Sequence, residues 1–180
     1  MFINAQVNFD TNFDYLIDEI YKEKEIGLLI ERSNQGGWHS EYKLHLSKNK
    51  AFMSISKEIS EISNFILKNK KKVNHTLELK QMWANINKSG DWNSPHNHLD
   101  SKNENAKPGW SGVLYLNIEE SKMDSGGDLI LFFINEKNIV DRYFHKPKQN
   151  QMILFSSDTL HMVTPNKSNE DRISIAFNLV

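Results

Sequence analysis

Ser111-Gly112-Val113-Leu114-Tyr115-Leu116-Asn117-Ile118, followed by Ser125-Gly126-Gly127 and then Leu129-Ile130-Leu131-Phe132-Phe133-Ile134, decides the fold class. Two apolar runs of strand length are separated by turn residues, with no room between them for a helix. Leu77 to Asn87 upstream and Arg142 to Lys146, Met152 to Ser156 and Ile173 to Val180 downstream read the same way. Ser89-Gly90-Asp91 reads as a turn, and the polar segment 101–110, with Pro108-Gly109, reads as a loop. Strands joined by turns, without alternating helices, predict a sandwich or jelly roll rather than a parallel sheet.

The pattern before Thr76 is different. Thr11 is placed to cap a helix through about Lys24, with Phe13, Leu16, Ile17 and Ile20 on one stripe. Ile26 to Ile30 reads as a short strand, and Ser33-Asn34-Gln35-Gly36-Gly37 as a turn before Trp38-His39-Ser40. Phe52, Ile55, Ile59, Ile62, Phe65 and Ile66 recur at steps of three and four, the period of a second helix. That helix ends in Lys68, Lys70, Lys71 and Lys72, cations suited to a helix C-terminus. The expectation is one mainly β domain over 1–180. Residues 1–75 form a helical and extended support, and residues 76–180 form the β core.

Composition narrows the chemistry. The chain has 180 residues, 38% hydrophobic and 25% charged, with a formal net charge of −1. That suits an ordinary globular protein and gives no field to draw nucleic acid or an anionic membrane. No cysteine is present, so disulfides, thiolate metal sites and cysteine nucleophiles are excluded. Any metal must be held by nitrogen and oxygen. The N-terminal residues lack a basic region followed by an apolar run, and no stretch is long and apolar enough to span a bilayer. A cytoplasmic location is expected; oligomeric state is left open.

The residues that carry chemistry are ordered. Pro95-His96-Asn97-His98-Leu99-Asp100 is followed by Asp158-Thr159-Leu160-His161 and then Arg172-Ile173-Ser174. On an extended segment His96, His98 and Asp100 share a face. His98-Leu99-Asp100 has the His-x-Asp spacing of a facial triad, completed by His161, and such a triad leaves open positions on iron(II) for a co-substrate and dioxygen. His96-Asn97-His98 offers two imidazoles at the same spacing. Arg172 and Ser174 share a strand face, where a guanidinium fork can take a carboxylate and a hydroxyl can add a hydrogen bond. A salt bridge from Arg172 to Asp171 or Glu170 is the plain alternative. Trp83, Asn85 and Asn87 share a face that could line a pocket, while Phe132, Phe155 and Phe177 read as core.

The chain resembles the 2-oxoglutarate/Fe(II)-dependent oxygenase superfamily, and within it a bacterial and phage family with an HxH(P/L)-type metal segment. The resemblance is carried by Gly36-Gly37-Trp38, Trp83 through Asn87, Gly90 through His98, Ser111 through Leu116, Gly126 through Phe132, His161 with Val163 and Pro165, and Arg172 through Asn178. It implies a double-stranded β-helix (jelly roll, cupin-like) with the N-terminal helices buttressing one sheet. It also implies Fe(II), 2-oxoglutarate and O2 as cofactors, and oxidative decarboxylation coupled to C–H oxidation of an unknown substrate. Aligned from Gly90, the first-ligand slot falls on His96 and the carboxylate slot on His98. The implied metal set is then His96, His98 and His161, with Asp100 either a bystander or a partner that orients a ligand; the plain spacing instead gives His98, Asp100 and His161. Arg172, Ser174 and Tyr115 are implied to hold the far carboxylate of 2-oxoglutarate. A metal- and acid-binding module or sensor without turnover uses the same residues and stands as the alternative. A zinc hydrolase ranks last, because no His-Glu-x-x-His helix is present.

Overall fold

The computed structural model describes residues 2–99, 109–120 and 124–180. Asp100 and residues 101–108 of the expected loop lie outside the described residues. Among the described residues, eleven strands and two α-helices follow in the order β1 (Phe2–Gln6), α1 (Phe13–Ile26), β2 (Asn34–Gln35), β3 (Trp38–His39), α2 (Lys50–Lys71), β4 (Leu79–Asn87), β5 (Trp92–His96), β6 (Trp110–Asn117), β7 (Leu129–Ile134), β8 (Val140–His145), β9 (Gln151–Ser156), β10 (His161–Val163) and β11 (Arg172–Leu179), with a 3-10 turn at Leu44–Leu46. They form two antiparallel sheets, a larger one ordered β1-β9-β6-β11-β4-β3 and a smaller one ordered β2-β5-β10-β7-β8. The fold is a jelly roll, mainly β with flanking helices.

Alternation along the central strands of the larger sheet divides the molecule. Ile173, Ile175, Phe177 and Leu179 of β11, with Met82, Ala84 and Ile86 of β4, pack against Leu16 and Ile20 of α1 and Phe52, Ile55 and Ile59 of α2. Burying each such side chain stabilises the fold by about 1.5–3 kcal/mol. The opposite face of the same strands carries Arg172, Ser174 and Asn178 on β11 and Trp83 and Asn85 on β4, and these line a cavity. The helices thus cover one face of the sheet and leave the other to the site. A second cluster, Tyr115, Leu129, Leu131, Ile153 and Phe155, joins the two sheets.

Local chemistry sets the helix ends. Asn49 caps α2 by accepting from the Ala51 amide at 2.9 Å, and the helix closes on Lys72 in a left-handed conformation after the lysine run. Asn12 caps α1, accepting from the Tyr15 amide at 3.0 Å. The expected cap Thr11 instead turns its hydroxyl to Glu58 of α2. A long-range carboxylate has outcompeted the local cap.

Three other expectations change. Ile26 to Ile30 is not a strand, and Ile26 and Leu28 are 83% and 71% exposed. Of that run only Ile30 bonds to β3, its amide donating to the His39 carbonyl at 3.2 Å. Phe65 lies off the buried stripe of α2 and is 70% exposed. β1 was hidden in a region that reads as helical; it pairs with β9 from Phe2↔Phe155 to Gln6↔Gln151.

Candidate metal centre

Strand pairing gathers the histidines. His96 ends β5 and lies directly opposite His161, the first residue of β10. His98 follows two residues on, its amide donating to the Ser157 carbonyl at 2.8 Å, which ties the segment across to the end of β9. Ring centroids are 4.2 Å apart for His96–His161, 4.8 Å for His98–His161 and 5.3 Å for His96–His98. One ring nitrogen from each lies within 4.8 Å of the others, and among the described residues no carboxylate joins them.

The tautomers follow from the hydrogen bonds. His96 Nδ1 faces the Ser94 carbonyl at 2.7 Å, and His161 Nδ1 faces the Thr159 carbonyl at 2.9 Å. His98 Nδ1 lies 2.9 Å from both Asn178 Oδ1 and Ser111 Oγ. Carbonyl oxygens only accept, so each Nδ1 carries the proton and each Nε2 keeps its lone pair. This is the usual way a protein orients a metal-binding imidazole. Burial holds all three rings neutral: it pushes His98 down to about 4, takes His161 well below its ordinary value and lowers His96. Neutral imidazole is the form that ligates. Three lone-pair nitrogens converging from two strands therefore fit a first-row divalent metal. Among the described residues, Ser33 Oγ, 3.3 Å from His96 Nε2, is the hydrogen-bonding contact such a metal would replace.

Deeper in the cavity lies a cation that Asp128 reaches only at longer range, without an ion pair. Arg172 is 5% exposed; its Nε donates to the Gly127 carbonyl at 3.0 Å and its Nη1 to Ser174 Oγ at 3.3 Å. The guanidinium carbon lies 5.2 Å from the Tyr115 ring centroid. Among the described residues no carboxylate is within ion-pair distance. Asp171, the sequence alternative, accepts instead from the Tyr21 hydroxyl at 2.8 Å. A guanidinium has five donors, and most of these have no acceptor among the described residues. The buried Tyr115 hydroxyl lies beside this guanidinium but makes no well-formed hydrogen bond among the described residues, and burial pushes its pKa up to about 12, so it stays neutral. A buried charge and unused donors together mark a place for an anionic ligand. Gly127 makes the approach possible: its φ is +67°, and a methyl there would come within 2.7 Å of Arg172 Cδ.

The cavity that joins these groups measures about 990 Å³. It is lined by His96, His98, His161, Arg172, Ser174, Tyr115, Trp83 and Asn85. Asn87 is buried beside it but is not part of the lining; its Nδ2 reaches Asn93 Oδ1 at 3.5 Å. Sequence reasoning missed Asn178 and Ser111, which orient His98. Asn178 shares the alternation of Arg172 and Ser174, and that period was the available signal.

Comparison with known proteins bears on the fold and the family chemistry. A family model described as "Putative 2OG-Fe(II) oxygenase" matches residues 81–178, more than half of the chain. No curated protein matches by sequence. Among solved structures, a Pseudomonas putida prolyl-4-hydroxylase is similar at 15% identity and a TM-score of 0.71, over 99% of this chain and 91% of that one. A viral collagen prolyl hydroxylase from Paramecium Bursaria Chlorella virus-1, described as a 2OG complex, is similar at 17% identity and 0.68, over 99% and 94%. The non-heme alpha ketoglutarate dependent epimerase SnoN from nogalamycin biosynthesis is similar at 10% and 0.71, over 99% and 77%. At these identities the structural likeness speaks for the fold, while the family match speaks for the chemistry. The chain belongs to the 2OG-Fe(II) oxygenases, enzymes that use Fe(II), 2-oxoglutarate and O2.

Proposed function

We propose that this oxygenase is hydroxylase-type and binds Fe(II) through His96, His98 and His161, with Arg172, Ser174 and Tyr115 taking the far carboxylate of 2-oxoglutarate. The observation that carries the reading is the common tautomer: three Nδ1–H groups tied down, three Nε2 lone pairs left to converge. When bound, the iron with 2-oxoglutarate and dioxygen supplies oxidative decarboxylation to succinate and carbon dioxide, coupled to C–H oxidation. The chain's own residues do the rest. Ser94, Thr159 and Asn178 hold the imidazoles in register, and Arg172 and Tyr115 offer donors where a dianion's distal end would sit.

Charge favours this arrangement. Three neutral imidazoles leave the full double charge of the cation to be offset by the co-substrate dianion, and Arg172 adds its own positive charge nearby. A donor set of three neutral imidazoles thus suits a dianionic chelator better than one that includes a carboxylate would. The test is production of succinate from 2-oxoglutarate under Fe(II) and dioxygen, with His161→Ala in parallel. Wild type should turn over slowly even without substrate, and His161→Ala should lose both iron and turnover. Full iron occupancy in His161→Ala would remove the site as described.

A further inference from the structure

The cavity has a second wall, at its mouth, which neither the metal nor 2-oxoglutarate accounts for. His39, on β3, stacks on Trp83 with ring centroids 5.7 Å apart and planes within 14°. Tyr42 meets both rings edge-on, at 5.1 Å from His39 and 5.0 Å from Trp83. The Trp83 and His98 ring centroids are 5.3 Å apart with the planes at 71°, so anything resting on this wall lies beside the metal-binding rings. Arg32, exposed at the mouth, sits with its guanidinium carbon 5.8 Å from the Tyr42 ring centroid. These four residues all line the cavity.

The charge of this wall is one-sided. The protein as a whole is almost balanced, 22 basic against 23 acidic residues. Yet among the described residues lining the cavity there are Arg32, Lys80 and Arg172 and no aspartate or glutamate. Lys80 is paired with Glu78 at 2.5 Å, but no described carboxylate lies within ion-pair distance of Arg32. An aromatic wall by itself could hold a cationic head group. Here the Tyr42 face already carries a cation, which repels a second one and leaves its own donors for an anion.

We propose that the Arg32–Tyr42–Trp83 wall is the substrate subsite and selects an organic anion, whose apolar body lies on Tyr42 and Trp83 and whose oxyanion is taken by Arg32. This deepens the oxygenase reading by naming the substrate class, and it rests on that reading for what fills the deep end. The oxyanion is a carboxylate or a phosphate, since a guanidinium fork fits either.

The test uses the full chain with Mn(II) in place of iron and saturating 2-oxoglutarate, so that Arg172 is already occupied. Four probes share one phenyl-terminated body: 3-phenylpropionate, its amide, 3-phenylpropylamine and 2-phenylethyl phosphate. Binding is followed by calorimetry and tryptophan fluorescence. The carboxylate or the phosphate should bind, and whichever is tighter identifies the oxyanion. The amide should be at least about tenfold weaker and the amine weaker still, as expected for loss of a charge-assisted pair. Arg32→Gln should bring the anion down to the level of the amide, and Tyr42→Ala should weaken every probe. Equal binding of amide and anion, or unchanged anion affinity in Arg32→Gln, overturns the proposal. If 2-oxoglutarate does not bind, the co-substrate reading fails separately. The series is then run without it on Arg172→Met, where dependence on Arg32 still supports the mouth subsite and independence overturns it.

Discussion

Replacing Arg172 with methionine should separate ligand binding from folding. In the free protein the guanidinium is buried with no described acid within ion-pair distance, donating to one carbonyl and one hydroxyl. An unbranched methionine fills much of the same volume. It leaves the Gly127 carbonyl without its donor, at a cost of about 1–3 kcal/mol. Against this, it removes a buried charge whose desolvation costs several kcal/mol. The two effects oppose each other, so the stability of the free protein should change by no more than about 2 kcal/mol in either direction. Co-substrate affinity is different, because nothing offsets the loss. Two charge-assisted hydrogen bonds at about 1.5–3 kcal/mol each amount to a weakening of about a hundredfold to ten-thousandfold. Urea unfolding of the metal-free protein measures the first quantity, and anaerobic calorimetry of 2-oxoglutarate on the Mn(II) form measures the second. A variant that loses more than about 4 kcal/mol of stability would show that the guanidinium is a structural anchor. Unchanged 2-oxoglutarate affinity would refute its assignment to the distal carboxylate.

The orienting groups and the buried rings make further predictions. Asn178→Ala removes the acceptor that fixes His98; metal affinity should fall about 10- to 100-fold while the fold persists, and unchanged affinity would show that Ser111 suffices. His39 and His145, which are not metal ligands in any reading, are both pushed by burial from 6.5 to about 4. Unfolded chains bind protons at these rings below pH about 6.5, whereas the folded protein does so only near 4. Their contribution to stability is therefore present above pH about 6.5 and is lost as pH falls toward 4. Denaturation midpoints of wild type and His145→Gln across that window should converge at acid pH; parallel curves would contradict the assignment.

Much of the fold was legible because its strongest signals are local. The apolar run Leu129–Ile134 is bounded as β7 is, and the three-and-four spacing through Phe52, Ile55 and Ile59 marks α2. What was not legible depends on partners distant in sequence. β1 exists because β9 offers it an edge, and nothing in Phe2-Ile3-Asn4-Ala5-Gln6 names that partner. Ile26 to Ile30 has strand composition but almost no edge to pair with, which is why composition misleads there. The site divides in the same way. His96, His98 and His161 stand out as residues, and the register that sets His96 opposite His161 is the step a sequence alone does not supply. Arg32 and Tyr42 carry no local mark; tertiary folding brings their loop to the cavity mouth.

The central claim is that three imidazoles, without an acid, hold an iron that 2-oxoglutarate chelates. It is tested most directly by anaerobic titration with Fe(II) and 2-oxoglutarate, watching the weak visible metal-to-ligand charge-transfer band in wild type, Asp100→Ala and His96→Ala. The band should appear in wild type and in Asp100→Ala and be lost in His96→Ala. A band that survives in His96→Ala and vanishes in Asp100→Ala would contradict that claim and return the carboxylate to the metal.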